Sequence, residues 1–113
     1  MKLLFFILNE TEKLDDVLTE LATNGIKGAT VIDSMGMARI LSNNHDENEI
    51  SFLSSLRSFL NPEREKNNLI FTVIRETQLE TAVKAIESVT GDLSQKNIGV
   101  IFSVPVDFTK GIV

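Results

Sequence analysis

Few residues in this 113-residue chain have the types and spacing to do chemistry. There is no cysteine, which excludes a disulfide scaffold, a thiolate zinc site, an iron–sulfur ligand set and a cysteine nucleophile. The one histidine, His45, stands beside Asp46, Glu47 and Glu49. These are metal-ligand types, but a polar stretch does not hold together the six or more oxygens that a hard cation needs. No metal site is expected. Asp15 and Asp16 are neighbours on a helical pattern, so their side chains point about 100° apart and do not form a carboxylate pair. Their role is to favour the positive end of the helix. No Ser or Thr lies in a nucleophile motif. Arg39 is the cation best placed to grip something, because it follows a glycine turn at Gly36. A guanidinium there can hold a phosphate or carboxylate through two parallel hydrogen bonds, or pair with a surface carboxylate. No general-base constellation is present, so the chain is not read as an enzyme.

Composition sets the frame for these residues. The chain is 42% hydrophobic and 24% charged, as in a soluble single domain spanning 1–113. Sixteen acids against eleven bases give a net charge of −5, which argues against nucleic-acid and anionic-membrane partners. The apolar run Leu3 to Leu8 is too short to span a membrane, and no small-residue cleavage site follows it. It reads as a buried strand, and the expected location is the cytoplasm. The phenylalanines fall in predicted strands or in a central insert, without the basic neighbours of an RNA-binding sheet.

The elements that must position Arg39 come in two matching halves. Leu3 to Leu8 is a strand. Leu14, Val17, Leu18 and Leu21 then mark one face of a helix over about 11–24, with Asn9 and Glu12 spaced as a capping box and Gly25 as its stop. Ala29 to Asp33 is a second strand. Leu69 to Ile74 is a strand again, followed by a helical stripe at Leu79, Ala82, Val83 and Ile86. Thr77 and Glu80 suggest its cap, and Gly91 its stop. Val100 to Val104 is the last strand. Right-handed crossovers interleave two β-α-β halves into an α+β ferredoxin-like sandwich with a four-stranded antiparallel sheet. Both helices then lie on one face. Yet Leu3–Leu8, Leu69–Ile74 and Val100–Val104 are apolar on both sides, whereas a half-wet strand alternates. A second subunit must cover the other face, or the insert must fold back over it. The insert, 35–68, carries Ile50, Phe52, Leu53, Leu56, Phe59 and Leu60 at helical spacing, which predicts a helix over about 49–60.

Lys13-Leu14-Asp15-Asp16-Val17, then Leu21, Gly25-Ile26, Gly28 and Thr30-Val31, with Gly99 and Ile101-Phe102 near the end, resemble the PII nitrogen-regulatory proteins. The likeness covers about 1–40 and 69–106. It implies a trimer whose sheets face the threefold axis. It also implies clefts between subunits that bind adenine nucleotides and often 2-oxoglutarate, and a mobile loop that docks on target proteins. Matching by position puts Thr30, Gly36, Met37, Arg39, Thr90, Gly91 and Gly99 at the ligand. The chain also departs from the family. The family pattern Gly-aromatic-Gly-Arg-Gln is here Gly36-Met37-Ala38-Arg39-Ile40, without the glutamine that helps hold magnesium and 2-oxoglutarate. The phosphate loop, expected as Thr-Gly-x-x-Gly-Asp-Gly-Lys, runs from Thr90-Gly91 to Gly99-Val100 without two inner glycines and without the lysine. Backbone amides cradle a phosphate only where the chain comes close, which those glycines permit. The expectation is therefore a divergent PII-like ligand sensor. An adenine nucleotide is a candidate ligand, ATP together with 2-oxoglutarate is not expected, and the 49–60 helix is a candidate docking element for a protein target. An ACT-type amino-acid-binding module and a CutA-like metal-responsive trimer are the alternatives. Against them stand the non-glycine turn Asn9-Glu10-Thr11 and the missing cysteine.

Overall fold

The structure is a computed structural model describing residues 1–37, 40–41 and 66–112. The strands are β1 (Lys2–Leu8), β2 (Thr30–Ser34), β3 (Asn67–Ile74) and β4 (Gly99–Pro105); the helices are α1 (Leu14–Thr23) and α2 (Leu79–Thr90). Each helix is entered through a short 3-10 turn, Thr11–Lys13 and Glu76–Gln78. The sheet order is β2-β3-β1-β4, and every neighbouring pair is antiparallel. This is the ferredoxin-like α+β fold, with β3 between the parallel strands β1 and β2 of the first half.

The expected caps are replaced. At α2 the Gln78 carboxamide oxygen accepts the Arg75 backbone N–H at 2.9 Å, so capping begins two residues ahead of Thr77. At the first helix the capping position of the 3-10 turn is Glu10, and α1 proper follows Lys13 with no side-chain cap. In both cases the 3-10 turn shifts the helix start. The end of α1 is a Schellman motif: Gly25 N–H bonds Ala22 O at 3.1 Å and Ile26 N–H bonds Leu21 O at 2.9 Å. Gly25 takes φ +90°, and Ile26 is tucked into the core.

Residue parity along the strands separates two faces. Leu4, Phe6 and Leu8 of β1 and Ile70 and Ile74 of β3 meet Val17 and Leu21 of α1 and Ala82, Ala85 and Ile86 of α2 in one buried cluster. Burying each large side chain contributes roughly 1.5–3 kcal/mol, so this face holds the chain together. The opposite face carries Leu3, Phe5 and Ile7, then Leu69, Phe71 and Val73, then Val100, Phe102 and Val104, with Ile32 on β2. It is apolar except at the β2 edge, where Thr30 and Ser34 flank Ile32, and no element among the described residues covers it. Ile32, Val100, Phe102 and Val104 are 47%, 55%, 45% and 40% exposed. Across its middle the Phe5 ring stacks on Phe102 at 4.9 Å and tilts against Phe71 at 6.1 Å. The predicted 49–60 helix, together with His45, Asp46, Glu47 and Glu49, lies outside the described residues. No helix among the described residues is long and apolar enough to cross a membrane.

Candidate ligand-binding site

The antiparallel register sorts the residues singled out in the sequence between the two ends of the sheet. Leu8, Ser34, Asn67 and Gly99 share one end. The segment Gly36-Met37 leaves from it and α2 returns to it, so Thr90 and Gly91 lie there too. Thr30 begins β2 at the other end, paired with Phe71. Within one chain Thr30 is thus separated by the length of β2 from Gly36, Met37, Thr90, Gly91 and Gly99. Arg39 lies outside the described residues.

At the first end, a short polar network ties the strands. The Ser34 hydroxyl donates to Asn67 Oδ1 at 2.8 Å, and Asn67 Nδ2 donates to Asn9 Oδ1 at 3.4 Å. Gly36 rests against this network, and a Cβ placed on it would meet Asn67 Nδ2 at an ordinary 3.6 Å. Met37 is exposed, and Ile40 N–H closes one helical turn onto Gly36 O at 3.2 Å. Thr90 is buried, and its hydroxyl donates back to Ile86 O and Gly91 O at 3.2 and 2.9 Å. Gly91 ends α2 at φ +83°. Gly99 is demanded by packing: a Cβ there would lie 2.8 Å from the Phe6 ring and overlap the Ile7 carbonyl oxygen.

The 91–98 loop fills itself. Leu93 N–H donates to Glu87 Oε2 at 3.0 Å, and Ser94 N–H donates to Asp92 Oδ1 at 2.9 Å. Two amides of this loop are held by the chain's own carboxylates. The Ser94 backbone and hydroxyl hold the exposed Asp92 carboxyl below its ordinary 3.8. Ile98 O accepts Asn9 N–H at 3.1 Å, which pins the loop to the end of β1. Among the described residues no group of His, Asp and Glu side chains could hold a metal ion.

The other end carries an open groove of about 920 Å³ between the α1–β2 connection and the end of β3. Ile26, Phe71, Val73 and Ile74 give it an apolar floor, Thr30 and Thr72 contribute hydroxyls, and Lys27 and Arg75 stand at it. The Thr72 hydroxyl donates to Gly28 O, fixing the connection over β3. Of the expected ligand residues only Thr30 belongs to this groove. Lys27 and Arg75 escape a reading of motifs because they are far apart in sequence. The only signal was the short Lys27-Gly28 link before β2 and the Arg75 joint before α2.

Comparison with curated proteins finds no match. A family model does match, described as Nitrogen regulatory protein P-II and aligned over residues 1–112. The ferredoxin-like topology agrees with it, and the chain belongs to the P-II nitrogen regulatory protein family.

Proposed function

We propose that this P-II family protein is a homotrimeric ligand sensor. It binds a small anionic or nucleotide ligand in clefts between subunits and signals through the 35–68 segment to a protein target, without catalysing a reaction. The observation that carries this reading is the uncovered sheet face around Phe5, Phe71 and Phe102. A patch this continuous marks a protein–protein interface. Three copies packed by this face would bury it. The separation of Thr30 from Gly36 supports a site between copies, since a cleft joining the two ends of neighbouring sheets would reunite them. Gly28 and Gly36 support it as well. Neither has a positive φ; among the described residues a Cβ on Gly28 would meet nothing within 4 Å, and one on Gly36 would make only an ordinary 3.6 Å contact with Asn67 Nδ2. A ligand or partner passing close to the backbone gives these glycines a reason. Met37, Arg39, Thr90, Gly91 and Gly99 complete the proposed cleft.

The loss of glutamine at Ile40, the exposed Val100 in place of a lysine, and the self-filled 91–98 loop all weigh against ATP with 2-oxoglutarate. Light scattering tests the assembly: a mass about three times 12.6 kDa is expected, and a stable monomer refutes it. A thermal-shift panel of nucleotides, 2-oxoglutarate, amino acids and bicarbonate tests the ligand, because specific binding raises Tm by mass action. A shift with a nucleotide or other anion is expected. A shift with amino acids alone would point to an ACT-type module.

A further inference from the structure

We propose that Asn24 is a site of spontaneous deamidation, and that the folded end of α1 sets how fast it is modified. The inference is independent of the ligand-sensing reading. Asn24-Gly25 is the one Asn-Gly pair in the chain. Glycine has no Cβ to shield its backbone nitrogen, so that nitrogen reaches the preceding side chain with the least hindrance. The Gly25 nitrogen gives up its proton and attacks Asn24 Cγ; the Cγ–Nδ2 bond breaks and ammonia leaves. Water then opens the resulting five-membered imide at either carbonyl, giving aspartate or isoaspartate. No oxidant or reductant takes part. Asn24 is exposed, so water and base reach it. The fold, however, holds both reacting groups. Asn24 Nδ2 donates to Glu20 O at 2.8 Å, and Gly25 N–H donates to Ala22 O at 3.1 Å. Asn24 sits at a near-helical ψ of 18°, whereas ring closure needs the Gly25 nitrogen swung round toward Cγ. Buried Ile26, with its N–H on Leu21 O, anchors this turn. Attack therefore waits for a local opening. The product closes the turn less well. A carboxylate at position 24 has no N–H for Glu20 O, and it stands at the negative end of a helix with no basic residue in its last turn. Glu20 lines the same shallow cleft, and Lys84 across it is already paired with Glu80. Isoaspartate also lengthens the main chain inside the turn and shifts both closing amides out of register. Modification thus loosens the turn that had delayed it.

The test is peptide mapping by mass spectrometry, with isoaspartate distinguished by fragmentation, after incubating the full chain in mildly alkaline buffer with and without urea. In urea, Asn24 should be converted ahead of Asn9, Asn67 and Asn68. In the folded chain Asn24 should still be converted, but roughly tenfold or more slowly, because only the opened fraction reacts. Ile26→Ala keeps the Asn-Gly pair and removes the apolar anchor, so it should speed the folded reaction several-fold. Ile86→Val trims the core under α2, away from the turn, and should not. Asn24→Asp is a surface substitution that keeps the chain folded and mimics one product. It should lower Tm and speed hydrogen exchange at the Ile26 amide. Equal Asn24 rates with and without urea, or no Asn24 product from the folded chain, overturn the proposal. Equal acceleration by Ile26→Ala and Ile86→Val also overturns it, since the reaction would then run through global unfolding. Unchanged Ile26 exchange in Asn24→Asp overturns the loosening of the turn.

Discussion

Gly99 and Asp92 show how single residues between α2 and β4 serve the chain itself. A side chain at position 99 would push into the Ile7 carbonyl and the Phe6 ring, both of which are fixed by the β1 ladder and the core. Gly99→Ala should therefore destabilise the fold by roughly 1–3 kcal/mol, as overpacking does, and a urea titration reads this as a lower midpoint with an unchanged slope. Asp92 makes a prediction in pH. Its folded pKa lies below the unfolded value of 3.8, because Ser94 N–H and hydroxyl favour the charged form. The loop stabilisation it supplies is present above 3.8 and is lost as pH falls through the depressed folded value. The Ser94 amide shift in NMR should titrate below pH 3.8, and Asp92→Asn should remove that titration. A Ser94 shift that moves only above 3.8 would contradict the hydrogen bond.

At the scale of elements, the end of α1 decides the shape of the groove. Gly25 at φ +90° lets Ile26 turn back into the core and sends Lys27 and Gly28 across β3. Gly25→Ala forces a Cβ into a left-handed backbone, at a cost of roughly 1–2 kcal/mol. Thermal unfolding should show a lower Tm. The amide of Ile26, bonded to Leu21 O, should exchange faster well before global unfolding. Unchanged exchange at Ile26 would mean that the turn does not depend on the glycine.

For the whole molecule, the two faces of β1 give opposite outcomes from adjacent residues. Phe6 is fully buried against both helices, whereas Phe5 lies on the uncovered face and stacks on Phe102. Phe6→Asp places an unpaired carboxylate in the core and should abolish the fold, with loss of helical circular dichroism. Phe5→Asp leaves the helix-side core intact. It should retain the helical signal and convert the proposed trimer to a folded monomer in light scattering. Equal loss of fold in both variants would show that the second face stabilises the subunit on its own account. An unaltered mass for Phe5→Asp would place the subunit interface elsewhere.

Much of this was written in the pattern of residues. The runs Leu3–Leu8 and Leu69–Ile74, the stripes of Leu14 to Leu21 and Leu79 to Ile86, and the stops at Gly25 and Gly91 specify two β-α-β halves, because local periodicity and glycine conformation act over a few residues. Apolar residues at both parities of the strands already require a second covering layer. What the sequence left open depends on which distant residues the register brings together. The choice between Phe5 and Phe6 as the core residue follows from which side the helices pack, a matter of crossover handedness and not of residue type, since both are Phe. The groove joins Lys27 to Arg75 only because β2 and β3 are antiparallel neighbours, so the end of α1 lies beside the start of α2. The self-filled 91–98 loop depends on Glu87 reaching the Leu93 amide, a contact set by the last turn of α2. Gly99, read as a ligand glycine, is held by a close approach of β4 to β1 that no spacing in the chain reveals, because sterics between strands exist only once they pair.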